Sequence, residues 1–331
     1  MTTRQRYRID AHIHLGGDDP ETIGLLEELE LRLLNICVAI GSWRDDVHPT
    51  FRDLARKHRG RYAWCTSFDL PDWSISDSDY AERVIEGLER DVADDAVAVK
   101  AWKNIGMELR RPDGSWVHID DPIFDPIYRH LARSGVPMIM HMAEPLACWL
   151  PIEHPSPHQS YYREHPEWHM HGRSDAPSHA EIIAARDRVL ERHPDLRVVG
   201  AHLGSLEHDV TAVARRLEKY PNFAVDISAR LEDLMAQDPK LVRDFFVTFQ
   251  DRIIFGTDVV SKTRSSLSTP EKRAALHQTL RETYTRYWTY LETNETLTVG
   301  ETTSAALALS NEVLEKVYVK NAREWYPGLD S

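Results

Sequence analysis

Eight short runs of apolar and β-branched residues, separated by segments with helical patterning, predict an α/β chain closed as a (β/α)8 TIM barrel. No glycine-rich phosphate fingerprint follows any run, which weighs against the alternative, an open doubly wound sheet. Several runs end in His or Asp, and a barrel gathers its C-terminal strand ends at one mouth.

The runs come in order. They are "YRIDAHIH" from Tyr7, "NICVAI" from Asn35, "YAWCTSF" from Tyr62 and "AVAVKAW" from Ala96. Then follow "VPMIMHM" from Val136, "LRVVGAHLG" from Leu196, "FAVDIS" from Phe223 and "RIIFGTDVV" from Arg252. Between the first two, Asp19 is placed as an N-cap, with Pro20 at the first helical position and Leu25, Leu26, Leu29 and Leu33 at helical spacing. Ser178 and Glu181 form the signature of a capping box, and that helix stops before Pro194. Two more helical patterns follow from about residue 270; they either close the barrel or form an interface, and a homo-oligomer is compatible with them. One barrel domain over residues 1–331 is expected. It carries a long lid-like insertion at 143–177, rich in Pro, His and aromatic residues, because a long connection without patterning is usually functional. A second irregular stretch, "SKTRSSLSTP" from Ser261, follows the eighth run.

Composition narrows the function. The chain has a hydrophobic fraction of 42%, enough for a large core, and a formal net charge of −13. No basic patch stands out, so nucleic acid and anionic membranes are not expected partners, and a small molecule is. Cys37, Cys65 and Cys148 are odd in number and widely spaced, which reads as buried reduced thiols and not a disulfide framework. The N-terminus lacks an apolar targeting region and no run reaches membrane length, so the expectation is a soluble cytoplasmic protein.

Residues i and i+2 of a strand share a face, so His12 and His14 project together. Alone, such a pair is weak evidence for a metal. His141 closes the fifth run, His202 the sixth and Asp258 the eighth. In a barrel these four imidazoles and one carboxylate share a mouth. Such donors suit zinc, with Mn, Fe or Co acceptable, and the lack of thiols points to an open catalytic site. An ion so held lowers the pKa of bound water to about 7 and polarises a carbonyl.

The motif "IDAHIH", the His and His of strands five and six, "FGTDVV" and "VYVKNAREWY" resemble the amidohydrolase superfamily, in its amidohydrolase-related (amidohydrolase 2) family. The resemblance implies His12, His14, His141 and Asp258 as metal ligands. It implies His202 as a general acid/base, or as a ligand to a second ion, and Asp258 as a proton acceptor as well. One or two divalent ions per chain follow. The implied reaction is hydrolysis of a lactone, amide or related bond in a small anionic substrate; the alternative is non-oxidative decarboxylation or another lyase reaction. A non-catalytic binding protein is disfavoured because every expected ligand is present.

Lys100 has three readings: a carboxylated lysine bridging two ions, a contact for a substrate anion, or half of an internal salt bridge. Glu144, three residues after His141, is an acid/base group, a partner that orients a ligating residue, or half of a loop ion pair. Arg230 either grips a substrate carboxylate or makes an ordinary ion pair. Trp102 walls the pocket or packs in the core. Asp10 is expected on the His12 and His14 face, accepting an outer imidazole N–H. If the fourth run stays a regular strand, Lys103 points away from Lys100, and it ranks below Lys100 as a candidate. His165, His169 and His171 read as a polar lid surface, with a second metal site as the lesser reading.

Overall fold

The computed structural model describes residues 7–261 and 267–329. Eight strands follow one another around the sheet. They are β1 Arg8–Leu15, β2 Leu31–Ile36, β3 Tyr62–Ser67, β4 Ala96–Ala101, β5 Met138–Met140, β6 Val198–Gly200, β7 Phe223–Asp226 and β8 Ile253–Ile254. All successive pairs are parallel. The crossovers carry α1 Pro20–Glu28, α2 Val47–Lys57, α3 Asp77–Ala93, α4 Asp125–Ser134, α5 His179–Arg192, α6 Val210–Lys219 and α7 Pro239–Thr248, and α8 Pro270–Glu292 follows the last strand. The eighth run bends after β8 and resumes as β9 Val260–Ser261 against β1. Hydrogen bonds from Ala11 N to Phe255 O, Asp258 N to His12 O and His14 N to Val259 O join the first run to the eighth. The chain forms a TIM barrel.

Local chemistry explains several elements. Asp19 caps α1 by accepting from Thr22 N, with Pro20 behind it. The capping box of α5 is present in both directions. Gly135 ends α4 with a φ of 67°, a left-handed conformation that costs glycine little. The first helix corrects the sequence reading: it ends at Glu28, Glu30 turns the chain at a φ of 53°, and Leu33 belongs to β2. A strand buried on both faces is a near-continuous apolar run and lacks the alternation that would separate it from a helix.

Two apolar layers hold the barrel. Ile9 and Ala11, Leu34 and Ile36, Cys65, Ala98, Ile139, Val199, Ala224 and Ile254 fill its lower interior. The C-terminal residues Ala322, Trp325, Tyr326 and Leu329 plug that layer from below. Burial of each large apolar side chain contributes about 1.5–3 kcal/mol. A larger layer packs the outer strand faces, Ile13 and Leu15 among them, against the helices.

β1 is bulged. Asp10 pairs with Leu33 but Ile13 with Asn35, so β1 carries one extra residue there. The bulge shifts the alternation: Ala11 and His12 both serve the interior, and Asp10 falls on the outer face. There it accepts from Thr257 Oγ1 at 2.5 Å and Tyr284 Oη at 2.8 Å.

The segment 143–177 is more ordered than its sequence suggests. It contains a 3-10 turn at Leu146–Trp149 and a helix at Gln159–Glu164, with Cys148, Tyr162, Trp168 and Met170 buried. Half of the stretch expected to be irregular from Ser261, residues 262–266, lies outside the described residues. The three cysteines are buried free thiols. Among the described residues, no helix is long and apolar enough to cross a membrane.

Candidate metal centre at the barrel mouth

His12 and His14 stand at the upper end of β1, and each is oriented by its Nδ1. His12 Nδ1 donates to Asp226 Oδ2 at 2.7 Å and His14 Nδ1 to Ile36 O at 2.6 Å. His202 Nδ1 donates to Ser228 O at 2.8 Å. A carboxylate and two carbonyls can only accept, so each ring carries its proton on Nδ1 and offers an Nε2 lone pair. All three lone pairs turn toward Asp258. Its oxygens lie 3.1 Å from His14 Nε2, 3.7 Å from His12 Nε2 and 3.9 Å from His202 Nε2.

His12, His14 and Asp258 place one donor atom each within 4.8 Å of one another, as a shared ion requires. His141 is outside that trio. Its ring centroid is 4.4 Å from that of His202, and among the described residues its buried Nε2 has no hydrogen-bond partner. An orphaned imidazole nitrogen at this depth fits a metal ligand. Burial, reinforced by His202, Lys100 and further cations, holds the His141 imidazole well below its ordinary pKa. Burial does the same for His202, helped by Arg230. Both rings are therefore neutral near pH 7, the form that ligates. Burial opposes ionisation of Asp258, but His14 beside it, with His202 and His12, holds its carboxyl well below the usual range. The donor set is imidazole and carboxylate throughout, and it fits a divalent ion.

The backbone that presents these groups is strained. After β6, His202, Leu203, Gly204 and Ser205 all adopt positive φ, between 57° and 63°. Asp258 sits at 62° and Ala229 at 53°. Each such non-glycine residue costs about 1–3 kcal/mol and survives only when its surroundings fix it. The surroundings do so. Arg186 donates to Gly204 O, His179 Nε2 to Ser205 O and Ser205 Oγ to Ala143 O. A side chain at Gly200 would lie 2.6 Å from the Phe223 ring. Asp258 is fixed from beneath, since Asp10 holds its neighbour Thr257 at both N and Oγ1. Asp10 thus supports the site through strand eight and not through an imidazole; the carboxylate that accepts from His12 is Asp226.

The cations around this centre differ in how they are satisfied. Lys100 is buried and its Nζ lies 3.3 Å from His12 Nε2. Burial pulls its pKa down, while Asp226 and Asp258 pull the other way. Arg230 is buried, gives Nη1 to Ala229 O and leaves Nε without a partner. Among the described residues, no carboxylate oxygen comes within 4.0 Å of either cation. The internal salt bridge considered for Lys100 finds no partner here.

Lys103 corrects the sequence reading, because β4 ends at Ala101 and strand alternation no longer sets its direction. It turns under the 143–177 segment, pairs with Glu144, and lies 4.0 Å from the Trp168 ring centroid. Glu144 also accepts from Tyr162 Oη at 3.4 Å. Trp102 is half-buried and meets Trp168 edge to face at 5.2 Å. His165, His169 and His171 bond separately to Glu167, Leu150 O and Trp149 O, so they share no centre.

Asp226 and Ser228 were not singled out as site residues in the sequence, and Lys103 was ranked below Lys100. Asp226 had a visible signal, an acid closing the seventh run as Asp258 closes the eighth. Ser228 had none.

Comparison with known proteins gives the family and the fold. The amidohydrolase family model (Amidohydro_2) matches residues 70–328, most of the chain. The fold is similar to that of 2,6-dihydroxybenzoate decarboxylase from Rhizobium, at 15% identity and a TM-score of 0.54, over 97% of this chain and 98% of that one. It is similar to 4-oxalomesaconate hydratase from Rhodopseudomonas palustris, at 14% and 0.55, over 94% and 81%. It is also similar to a probable 2-pyrone-4,6-dicarboxylic acid hydrolase from Acinetobacter baumannii, at 9% and 0.53, over 97% and 99%. Identities this low speak for the fold alone. No curated protein sequence matches the chain. On the family match, the chain belongs to the amidohydrolase family and is an enzyme of the amidohydrolase superfamily.

Proposed function

We propose that the enzyme is a metal-dependent hydrolase acting on a carbonyl of a small anionic substrate, through a lactone, amide or related bond. The observation that carries the anionic part is the pair of buried cations, Lys100 and Arg230, left without a carboxylate partner beside the imidazole cluster. An unpaired buried charge is costly unless something else supplies the opposite charge, and a substrate carboxylate would.

His12, His14 and Asp258, with His141 facing the same space, would hold the ion, and zinc suits this set of nitrogen and oxygen donors. When bound, the ion supplies a nucleophilic water at neutral pH and polarises the carbonyl. The protein's own groups do the rest. Arg230 and Lys100 hold the substrate carboxylate, which fixes the reacting carbonyl. Asp258 accepts a proton. His202, neutral and with its Nε2 lone pair facing the site, takes up and returns a proton during bond cleavage. The segment 143–177 acts as a lid, and the Lys103–Glu144 pair with Trp168 ties it over the mouth and keeps water out.

A second reading uses the same cations. A carboxylate bound there could leave as carbon dioxide, and the fold is shared with a decarboxylase. Product analysis separates the two. The zinc-loaded enzyme would be given carboxylate-bearing lactones and amides, and aromatic carboxylates, with acid formation and carbon dioxide release followed together. Acid formation without carbon dioxide is the expected result, and carbon dioxide release would replace hydrolysis with the second reading. Arg230→Met is expected to raise KM for the carboxylate substrate about 10–100-fold, the loss of one charge-assisted pair, and to leave a neutral analogue unaffected. Equal effects on both substrates would contradict the anion-binding role.

A further inference from the structure

Asp226 ends β7 fully buried, and its two oxygens serve different masters. Oδ2 accepts from His12 Nδ1 at 2.7 Å. Oδ1 accepts from the backbone N–H of His202 at 2.9 Å, from that of Ser228 at 3.1 Å, and from the Ser228 hydroxyl. Ser228 closes the circuit: its carbonyl accepts from His202 Nδ1 at 2.8 Å, and its hydroxyl oxygen lies 2.9 Å from that nitrogen and 3.1 Å from His12 Nδ1.

His12, His202 and Asp226 also have donor atoms close enough to share an ion. The hydrogen bonds argue against that use. His12 Nδ1 already spends its proton on Asp226, and both Asp226 oxygens already accept. Only the opposite face of each ring, the Nε2 side, is left for chemistry. The same carboxylate also holds the N–H of His202, the first residue of the left-handed turn, whose φ is 58°.

We infer that Asp226, with Ser228, is a positioning residue that fixes the Nδ1–H tautomers of His12 and His202 and anchors the strained turn bearing His202, so that one buried carboxylate aligns the metal-binding imidazole with the proton-transferring one. The inference rests on the proposed metal-dependent reaction for its consequence, but its geometry does not need the metal.

The test uses the full chain, with 15N-labelled histidine and the metal removed by a chelator. Long-range 1H–15N spectra, assigned with His12→Gln and His202→Gln, are expected to show both rings as Nδ1–H tautomers. In Asp226→Asn, the amide oxygen is retained by the two backbone N–H groups and the amide NH2 turns to His12. His12 must then move its proton to Nε2. Zinc affinity, measured by competition with a chromophoric chelator, is expected to fall 10–100-fold, as for other groups that orient a ligating imidazole. A parent chain with His12 protonated on Nε2 would overturn the inference, and that result stands even if the variant fails to fold. Zinc affinity within twofold of the parent in Asp226→Asn would overturn it too. So would loss of a whole equivalent at saturating zinc, because Asp226 would then be a ligand. A parent that shows both Nδ1–H tautomers but binds no zinc would support the positioning geometry and count against the proposed function instead.

Discussion

The two ends of the barrel interior are built on opposite rules. At the base, each strand contributes apolar side chains, and Trp325 and Tyr326 seal the layer. At the mouth, the same strands end in His12, His14, Lys100, His141, His202, Asp226 and Asp258, and three of the strand ends pass through positive φ. The base buries apolar area, which stabilises any chain of this shape. The mouth buries charge and strained backbone, which destabilise it, and tolerates them because α5 holds the turn after β6 and Asp10 holds Thr257 beside Asp258. Stability and chemistry are separated along the barrel axis.

That contrast can be broken at the base first. Tyr326→Ala is expected to cost about 3–5 kcal/mol in denaturant unfolding, as large aromatic truncations do, without changing the metal held per folded molecule. Tyr326→Phe should be neutral or stabilising, since the buried hydroxyl has no hydrogen-bond partner. A costly Tyr326→Phe, or metal lost from folded Tyr326→Ala, would show that the two ends are not independent.

A smaller effect probes the support beneath the mouth. Burial pushes His179 down to about 4 from an ordinary 6.5, and its Nε2 holds Ser205 O. As pH falls from 6.5 toward 4, the unfolded chain takes up a proton that the fold refuses, so stability is lost on acidification. The difference reaches about 3 kcal/mol below pH 4. His179→Gln keeps a donor for Ser205 and is expected to flatten that part of the stability curve, leaving pH 7 nearly unchanged. An equally steep curve in the variant would assign the acid lability elsewhere.

The same contrast explains what the sequence could reveal. Apolar runs and caps are local, so the strands, the α5 capping box and the polar strand ends were legible. Leu33 was not, because a strand buried on both faces carries no period. Asp10 was misplaced by the bulge, since one extra residue inverts the facing of everything before it. The direction of Lys103 rested on a regular strand, and β4 stops two residues earlier. Asp226 meets His12 across 214 residues, and such partnerships leave no mark in spacing. The left-handed turn at His202 is invisible as well, for three of its four residues are not glycine.

The central claim is that His12, His14 and Asp258 hold a divalent ion. Metal analysis of the parent, His12→Ala and Asp258→Ala, each purified without chelator and confirmed folded, tests it most directly. At least one equivalent of zinc or a similar ion in the parent, and its loss from both variants, is the expected result. A parent without divalent metal, or variants that retain it in full, would contradict the account.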